Sequence, residues 1–180
     1  MDRGAIPVLE TDRLRLRAPA ASDLEASTAM WSNPQVVRHI GGNPFTREEV
    51  WSRILRGLGL WSMLGYGYWA VDDKATGRFV GDVGFADFHR AFEPSIEGLP
   101  EMGWVLDPWC HGRGYASEAV AAGIAWAEAH LDAREFACII DPDNAPSINV
   151  ALKAGFSEVG PADYKGSPII VFKRPVATRT

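Results

Sequence analysis

Short segments in which apolar and polar residues alternate predict most of the β-strands of this chain. Leu14 and Leu16 alternate with three arginines, a pattern typical of a strand with one buried face. Residues 136–140 are apolar throughout, which predicts a strand buried on both faces. Further strands are expected at residues 68–72, 79–88, 101–106 and 169–172.

Helices are predicted where the apolar spacing changes to three and four residues. Ser22 is the expected N-cap of a first helix, with Glu25 completing a capping box, and Asn33-Pro34 ends it. Thr46 is the expected N-cap of a second helix. Its apolar stripe is Val50, Ile54 and Leu58. Its end is expected to be weakened by Gly57, Gly59 and Gly65.

Two more helices are predicted in the second half of the chain. One begins after a glycine loop and runs from Tyr115 to about Leu131, with Val120 and Ile124 on its buried side. The other covers roughly residues 146–154 and ends at Gly155. Early strands with two helices, followed by alternating strands and helices, predict a mixed α/β sheet.

The glycine loop before Tyr115 is the most informative segment for function. It reads His111-Gly112-Arg113-Gly114-Tyr115-Ala116 and follows a predicted strand. The first N–H groups of a helix have no partner inside the helix and carry partial positive charge. Glycines let the backbone approach a bulky anion, and Arg113 can add a full charge. The loop is therefore a candidate site for a ligand that carries a pyrophosphate.

Three kinds of pyrophosphate site share this general layout. A nucleotide P-loop needs Lys and then Ser or Thr after its last glycine, whereas Tyr115 and Ala116 follow here. A dinucleotide site has three spaced glycines early in the chain, whereas this loop has two and lies past the middle. A coenzyme A site remains, and so does a simple glycine turn that joins a strand to a helix.

The loop resembles the coenzyme A signature of the GNAT superfamily of acyl-CoA N-acyltransferases, with His111 where Gln or Arg is usual. Further segments, in the right order, resemble the branch that includes ribosomal-protein N-terminal acetyltransferases. These segments are residues 10–17, 77–84, 144–147 and 153–156. The resemblance therefore extends over nearly the whole chain.

The resemblance implies a single N-acetyltransferase domain over residues 1–180, with its core at about residues 8–175. The implied fold is α/β, with a central, mostly antiparallel sheet and helices on both faces. Its fourth and fifth strands, residues 101–106 and 136–141, are expected to splay apart and admit the pantetheine arm of coenzyme A. Dimerisation is common in this branch, so a homodimer is compatible with the resemblance, although nothing in the sequence requires it.

The same resemblance implies acetyl-CoA as the co-substrate. The loop amides and Arg113 would hold its pyrophosphate, and the strand before the loop would pair with pantetheine. A backbone N–H near Val105 would polarise the thioester carbonyl, and Asn144 would hold the pantetheine backbone. The expected coenzyme-binding residues are Trp104, Val105, Leu106, His111, Gly112, Arg113, Gly114, Tyr115, Ala116, Asn144, Ser147 and Asn149.

Acyl transfer to an amine needs a route for the amine's proton and a donor for the leaving thiolate. Glu101 lies close to where some family members keep a catalytic glutamate, and it either acts as a base or only orders the site. Many members use a tyrosine on the helix after Asn144 as the donor, but Ala151 occupies that position. The branch resembled uses a serine, here Ser147, for which helix capping is the alternative role.

Aromatic residues are concentrated between residues 51 and 69, where family members build part of the acceptor pocket. Trp51 and Trp61 are ten positions apart and are expected to share a helical face. We expect these two rings and His89 to bind the acceptor, with core packing as the alternative for the rings. Loops 39–46 and 89–100 are expected to select the acceptor.

Composition excludes several other classes of protein. The net charge is −5 and no basic run is present, so no nucleic-acid partner is expected. The longest apolar run is nine residues and the N-terminus has no signal pattern, so neither a membrane nor secretion is expected. The two cysteines do not form a disulfide framework, and no metal-ligand spacing is present. We therefore expect a cytoplasmic protein without a metal.

The sequence as a whole predicts an acetyl-CoA-dependent N-acetyltransferase. It would move an acetyl group to a primary amine, either of a protein N-terminus or of a small molecule, by direct attack in a ternary complex. Two alternatives stay open: a non-catalytic acyl-CoA-binding or regulatory module, and an acyltransferase that uses a longer acyl-CoA. The sequence does not identify the amine.

Overall fold

The computed structural model of the protein describes residues 5–176. Within this part of the chain, eight strands form one sheet in the order β1-β2-β3-β4-β5-β6-β8-β7. The strands are β1 (Leu9–Glu10), β2 (Leu14–Arg17), β3 (Tyr68–Asp73), β4 (Phe79–Ala86), β5 (Glu101–Leu106), β6 (Glu135–Ile140), β7 (Ser157–Tyr164) and β8 (Ser167–Pro175).

Helices cover both faces of this sheet. They are α1 (Leu24–Trp31), α2 (Pro34–Val37), α3 (Arg47–Leu64), α4 (Tyr115–His130) and α5 (Ala145–Lys153). Side chains alternate along β3, so that Trp69 and Val71 pack with α4, whereas Ala70 packs with α1, α2 and α3. This arrangement confirms the predicted α/β fold. No helix between residues 5 and 176 is long and apolar enough to cross a membrane.

The gap in the sheet lies between β5 and β6. Strands β4 and β5 pair at six positions, from Gly81 opposite Leu106 to Ala86 opposite Glu101. Strands β5 and β6 run parallel and pair only where Glu101 meets Ala137. The two strands therefore meet at one end and separate towards the other. This separation confirms the splay that the family resemblance implied.

The first helix starts differently from the prediction. Ser22 lies inside a 3-10 turn, and Asp23 rather than Glu25 accepts the N–H of Ala20, at 2.8 Å. Asp23 can do so because it is buried and held in place by Arg17, which donates to both of its oxygens.

Helix α3 is longer than its glycines predicted. It continues through Gly57 and Gly59 and ends at Gly65, whose left-handed conformation forms the C-cap. Gly57 and Trp61 are buried on its inner side, whereas Leu58, expected there, is 37 % exposed. Packing against the sheet therefore outweighs the low helix propensity of glycine.

Candidate active site

A cleft of about 960 Å³ opens where β5 and β6 separate. One wall is formed by these two strands and the start of α5, and includes Trp104, Ile140, Asn144 and Ser147. The opposite wall is formed by α1, α3 and the segment after α2, and includes Arg38, His39, Arg53 and Arg56. The cleft therefore joins the strand gap to a pocket beneath the helices.

The glycine loop lies at the N-terminus of α4. Gly112 and Gly114 have φ values of +73° and +77°, in the left-handed region that favours glycine. Among the described residues, the backbone N–H groups of residues 112–116 have no hydrogen-bond acceptor. A row of free N–H groups at a helix N-terminus is suited to an anion with several oxygens.

Side chains beneath the loop hold it in place. Arg13 donates to the carbonyl of Arg113 at 2.8 Å and to the carboxylate of Glu118 at 2.7 Å. The buried Tyr115 hydroxyl donates to Asp73 at 2.6 Å, and this bond lowers the pKa of Asp73 and raises that of Tyr115. The side chain of Tyr115 therefore anchors the helix, and only its backbone is available to a ligand.

The side chain of His111 ties the loop to β5. Its Nε2 lies 2.9 Å from the carbonyl oxygen of Leu106, so this nitrogen donates. The guanidinium of Arg113 is exposed and lies over Trp109, 5.6 Å from the ring centre. The Leu106 carbonyl therefore already accepts a hydrogen bond from within the protein.

The alternation of β5 decides which backbone groups reach the gap. The N–H of Asp107 bonds to the β4 side, whereas the carbonyl of Pro100 bonds to Ala137 on the β6 side. Successive residues point their backbone groups to opposite edges, so Trp104 presents its N–H to the gap and Val105 presents its N–H to β4. Between these two neighbouring residues, the N–H that faces the gap is therefore that of Trp104.

The side chain of Tyr68 lines the cleft, and its hydroxyl lies against Gly103 of β5. The absence of a side chain at Gly103 makes room for it, because a Cβ there would lie 2.1 Å from the hydroxyl oxygen. Burial raises the pKa of Tyr68, so the phenol keeps its proton at neutral pH. Tyr68 belongs to the aromatic segment of residues 51–69, in which Trp51 and Trp61 were expected to bind the acceptor.

Glu101 is 5 % exposed and forms an ion pair with Arg90. Its two oxygens accept from Nε and Nη2 of Arg90 at 2.6 and 2.9 Å. Burial raises the pKa of Glu101, and the ion pair with Arg90 opposes the rise. Taking a proton from an amine would break this pair, which favours a role for Glu101 in ordering the site.

Asn144 and Ser147 both line the cleft at the start of α5. Asn144 is the N-cap of this helix, and its side-chain oxygen accepts the N–H of Ser147 at 3.3 Å. Asn149 is exposed and is not part of the cleft lining. Ala151 is fully buried in the core, so the position of the family's tyrosine offers no polar group to the cleft.

None of the three residues predicted to bind the acceptor is among the described residues that line this cleft. Trp61 is buried against Trp69 and Trp126. Trp51 is 37 % exposed, and the side chain of His89 is 69 % exposed. Ten helical positions correspond to a rotation of about 80° at about 100° per residue, and across this angle α3 changes from its buried side at Trp61 to its exposed side at Trp51.

Ionisable residues that were not predicted as site residues also line the cleft. Asp82 accepts the indole N–H of Trp31 at 3.0 Å, and burial raises its pKa to about 6. Arg53 stacks on the ring of Trp31 at 3.7 Å. Nδ1 of His39 lies 3.1 Å from Oδ2 of Asp141. Between residues 5 and 176, no cluster of three or more His, Cys, Asp and Glu side chains is arranged to hold a metal.

Comparisons with known proteins identify the family. The profile of the acetyltransferase (GNAT) domain matches residues 13–157. The chain is 31 % identical over 159 residues to YoaA of Bacillus subtilis (strain 168), described as an uncharacterized N-acetyltransferase, and the match covers 86 % of this chain and 85 % of that protein. The chain therefore belongs to the GNAT family of acetyltransferases.

Solved structures share the fold. An acetyltransferase from Agrobacterium tumefaciens str. C58 has a TM-score of 0.79 and 27 % identity, covering 94 % of this chain and 95 % of that one. RimL, a ribosomal L7/L12 alpha-N-protein acetyltransferase in complex with coenzyme A, has a TM-score of 0.76 and 20 % identity, covering 94 % and 98 %. The predicted family and the enzyme class, N-acetyltransferase, are thus confirmed. The similarity to RimL, at 20 % identity, shows the fold alone.

Proposed function

We propose that the protein transfers the acetyl group of acetyl-CoA to a primary amine, with both substrates bound and no covalent enzyme intermediate. The observation that carries the proposal is the position of the free N–H groups of residues 112–116. They lie beyond the end of β5, whose open edge leads to Tyr68 and Glu101 in the cleft. Acetyl-CoA supplies the activated acetyl group.

Groups of this chain fit the parts of that ligand. The five N–H groups of residues 112–116 and the side chain of Arg113 suit a pyrophosphate. The backbone of Trp104 faces the gap between β5 and β6, where it can pair with an extended amide chain. Asn144 and Ser147 line the cleft at the start of α5, on the same wall as Trp104.

The transfer forms an N–C bond and breaks a C–S bond, so the amine must lose a proton and the thiolate must gain one. In our proposal the amine attacks in its neutral form and the N–H of Trp104 polarises the thioester carbonyl. The leaving thiolate takes up, through the hydroxyl of Ser147, the proton that the attacking nitrogen releases. The protonated Tyr68 hydroxyl orients the amine. Glu101 positions Arg90 rather than accepting the proton, because protonation would weaken its ion pair with Arg90.

A thiol-release assay with acetyl-CoA tests this function. The amines are peptides that start with Ala or Ser, spermidine, an aminoglycoside and free amino acids. We expect release with one of these classes. Tight binding of acetyl-CoA by calorimetry without any release would favour a non-catalytic binding module, and faster turnover of a longer acyl-CoA would favour the other alternative.

A further inference from the structure

Three arginines on the helix side of the cleft form no ion pair with a carboxylate among the described residues. Ion pairs within residues 5–176 engage other arginines, including Arg90 with Glu101. No ion pair in that part of the chain includes Arg38, Arg53 or Arg56, although all three line the cleft. The pocket beside the expected reaction centre therefore carries an excess of positive charge.

Arg53 and Arg56 lie one turn apart on α3, so their side chains project to the same side. Arg53 stacks on Trp31 at 3.7 Å, and Arg56 lies over Phe88 at 5.3 Å. An arginine that stacks through its face keeps the N–H groups at its edge for a planar, two-oxygen anion. The aromatic contacts thus fix the orientation of both groups.

Both charges act close to the expected reaction centre. The positive charges of Arg53 and Arg56 oppose the rise in the pKa of Tyr68, whose hydroxyl lies above Gly103. Burial lowers the pKa of Arg53, and repulsion by Arg56 adds to this effect. Asp82, whose pKa burial raises to about 6, is still mainly ionised at neutral pH, so it offsets one of these positive charges and leaves an excess.

An amine reaches the enzyme mostly as an ammonium cation, which this pocket would repel unless the acceptor also brought a negative charge. Once such an acceptor is bound, the surrounding guanidinium groups favour the neutral form of its amine, which is the nucleophile. Positive charge in the pocket can therefore both select the acceptor and assist its deprotonation.

We propose that the acceptor carries a carboxylate close to its amine, and that Arg53 and Arg56 bind this carboxylate while the amine lies beside Tyr68. This inference rests on the proposed function and defines its substrate class. The carboxylate belongs either to a free amino acid or to an acidic residue next to a peptide N-terminus. Both sources present the same chemistry to the two arginines.

Matched pairs of acceptors test the inference. The pairs are L-alanine with L-alaninamide, L-phenylalanine with L-phenylalaninamide, and the peptides Ser-Asp-Phe-amide with Ser-Asn-Phe-amide. We expect kcat/KM to be at least about tenfold higher for the carboxylate member of a pair, although the amino acid amides contain the less basic amine. A preference for the carboxylate within the amino acid pairs would identify the acceptor as a free amino acid. A preference within the peptide pair would identify it as a peptide with an acidic residue next to its N-terminus.

The variants R53Q and R56Q should reduce this preference to less than about threefold, whereas R134Q, which removes an exposed arginine outside the cleft, should retain it. Partial unfolding of a variant lowers kcat/KM equally for the two acceptors of a pair, so the ratio of the two values reports on recognition of the carboxylate alone. Equal rates within every pair, or a preference that survives in both R53Q and R56Q, would overturn the inference.

A binding measurement separates this inference from the proposed function. Calorimetry on the protein with bound coenzyme A should show the carboxylate member of a pair binding at least about tenfold more tightly, even if no acetyl transfer occurs. Transfer without discrimination within the pairs would overturn the inference and leave the proposed function standing. Discrimination in binding without any transfer would support the inference and overturn the proposed function.

Discussion

Asp82 illustrates how burial changes a single carboxylate. Its pKa is raised to about 6 by burial, while the hydrogen bond from Trp31 opposes the rise. Because its folded pKa lies above the ordinary value, the folded state binds a proton more readily than the unfolded chain does. The contribution of Asp82 to stability is therefore complete below about pH 4 and declines as the pH rises through about 6.

The substitution D82N should remove this pH dependence, because an asparagine oxygen can still accept from Trp31 without carrying a charge. We expect the free energy of unfolding at about pH 8 to rise by about 1–2 kcal/mol relative to the parent protein, and the difference to vanish near about pH 4. Urea unfolding at both pH values measures it. A variant that is less stable at the higher pH would contradict this account of Asp82.

At Tyr68, the substitution Y68F should separate chemistry from packing. The ring stays in place, so we expect the free energy of unfolding to change by less than about 1 kcal/mol. The loss of the hydroxyl above Gly103 should lower kcat by about tenfold or more. Steady-state kinetics with a reactive amine measure the effect, and an unchanged kcat would show that the hydroxyl has no part in the reaction.

For Glu101, the positioning role predicts a particular response to E101Q. Removing the charge leaves the half-buried Arg90 without its partner, so the free energy of unfolding should fall by about 3 kcal/mol. The level of kcat/KM should fall while the shape of its pH profile stays the same. Disappearance of the acidic limb of that profile would instead identify Glu101 as the base.

Local backbone geometry at the candidate site could be predicted from the sequence, whereas side-chain positions that depend on packing could not. The conformation of the glycine loop could be predicted from the spacing of its glycines, because left-handed turns and free helix amides are local properties. The positions of Trp51 and Trp61 could not be predicted in this way, because the burial of Trp61 and the exposure of Trp51 depend on which face of α3 packs against the sheet. The spacing of Arg53 and Arg56 on that helix was a usable signal that was missed.

At the scale of single elements, α3 offers a direct test of helix propensity. Gly59 lies inside this helix, and a Cβ there would meet nothing within 4 Å. The substitution G59A should therefore raise the free energy of unfolding by about 1 kcal/mol. Gly84 is the matched control, because a Cβ there would lie 2.3 Å from the carbonyl oxygen of Gly67, so G84A should destabilise the protein. Urea unfolding of both variants checks the pair.

Strand β7 shows why some elements could not be predicted. Most of its residues are exposed, and it contains Gly160 and Pro161, which are depleted in strands. It forms because it can pair along β8, with register shifting between Glu158 and Gly160. The pairing partner, rather than the local sequence, therefore specifies this edge strand.

For the whole molecule, the gap between β5 and β6 is the feature that the local pattern does not contain. Both strands were predicted from their apolar runs, but their separation depends on the rest of the sheet and was available only through the family resemblance. The cytoplasmic location, the homodimer and the single domain over residues 1–180 stay predictions, and the last includes terminal residues outside the described range.

The most direct test of the central claim is a calorimetric titration of the protein with acetyl-CoA. We expect one molecule to bind with a dissociation constant in about the micromolar range. The variant G112V forces a branched side chain into a left-handed loop position and should weaken binding by at least about tenfold, whereas G98V, at a similar φ in open space outside the cleft, should not. Absence of binding to the parent protein, or equal binding by both variants, would contradict the claim that this loop holds coenzyme A.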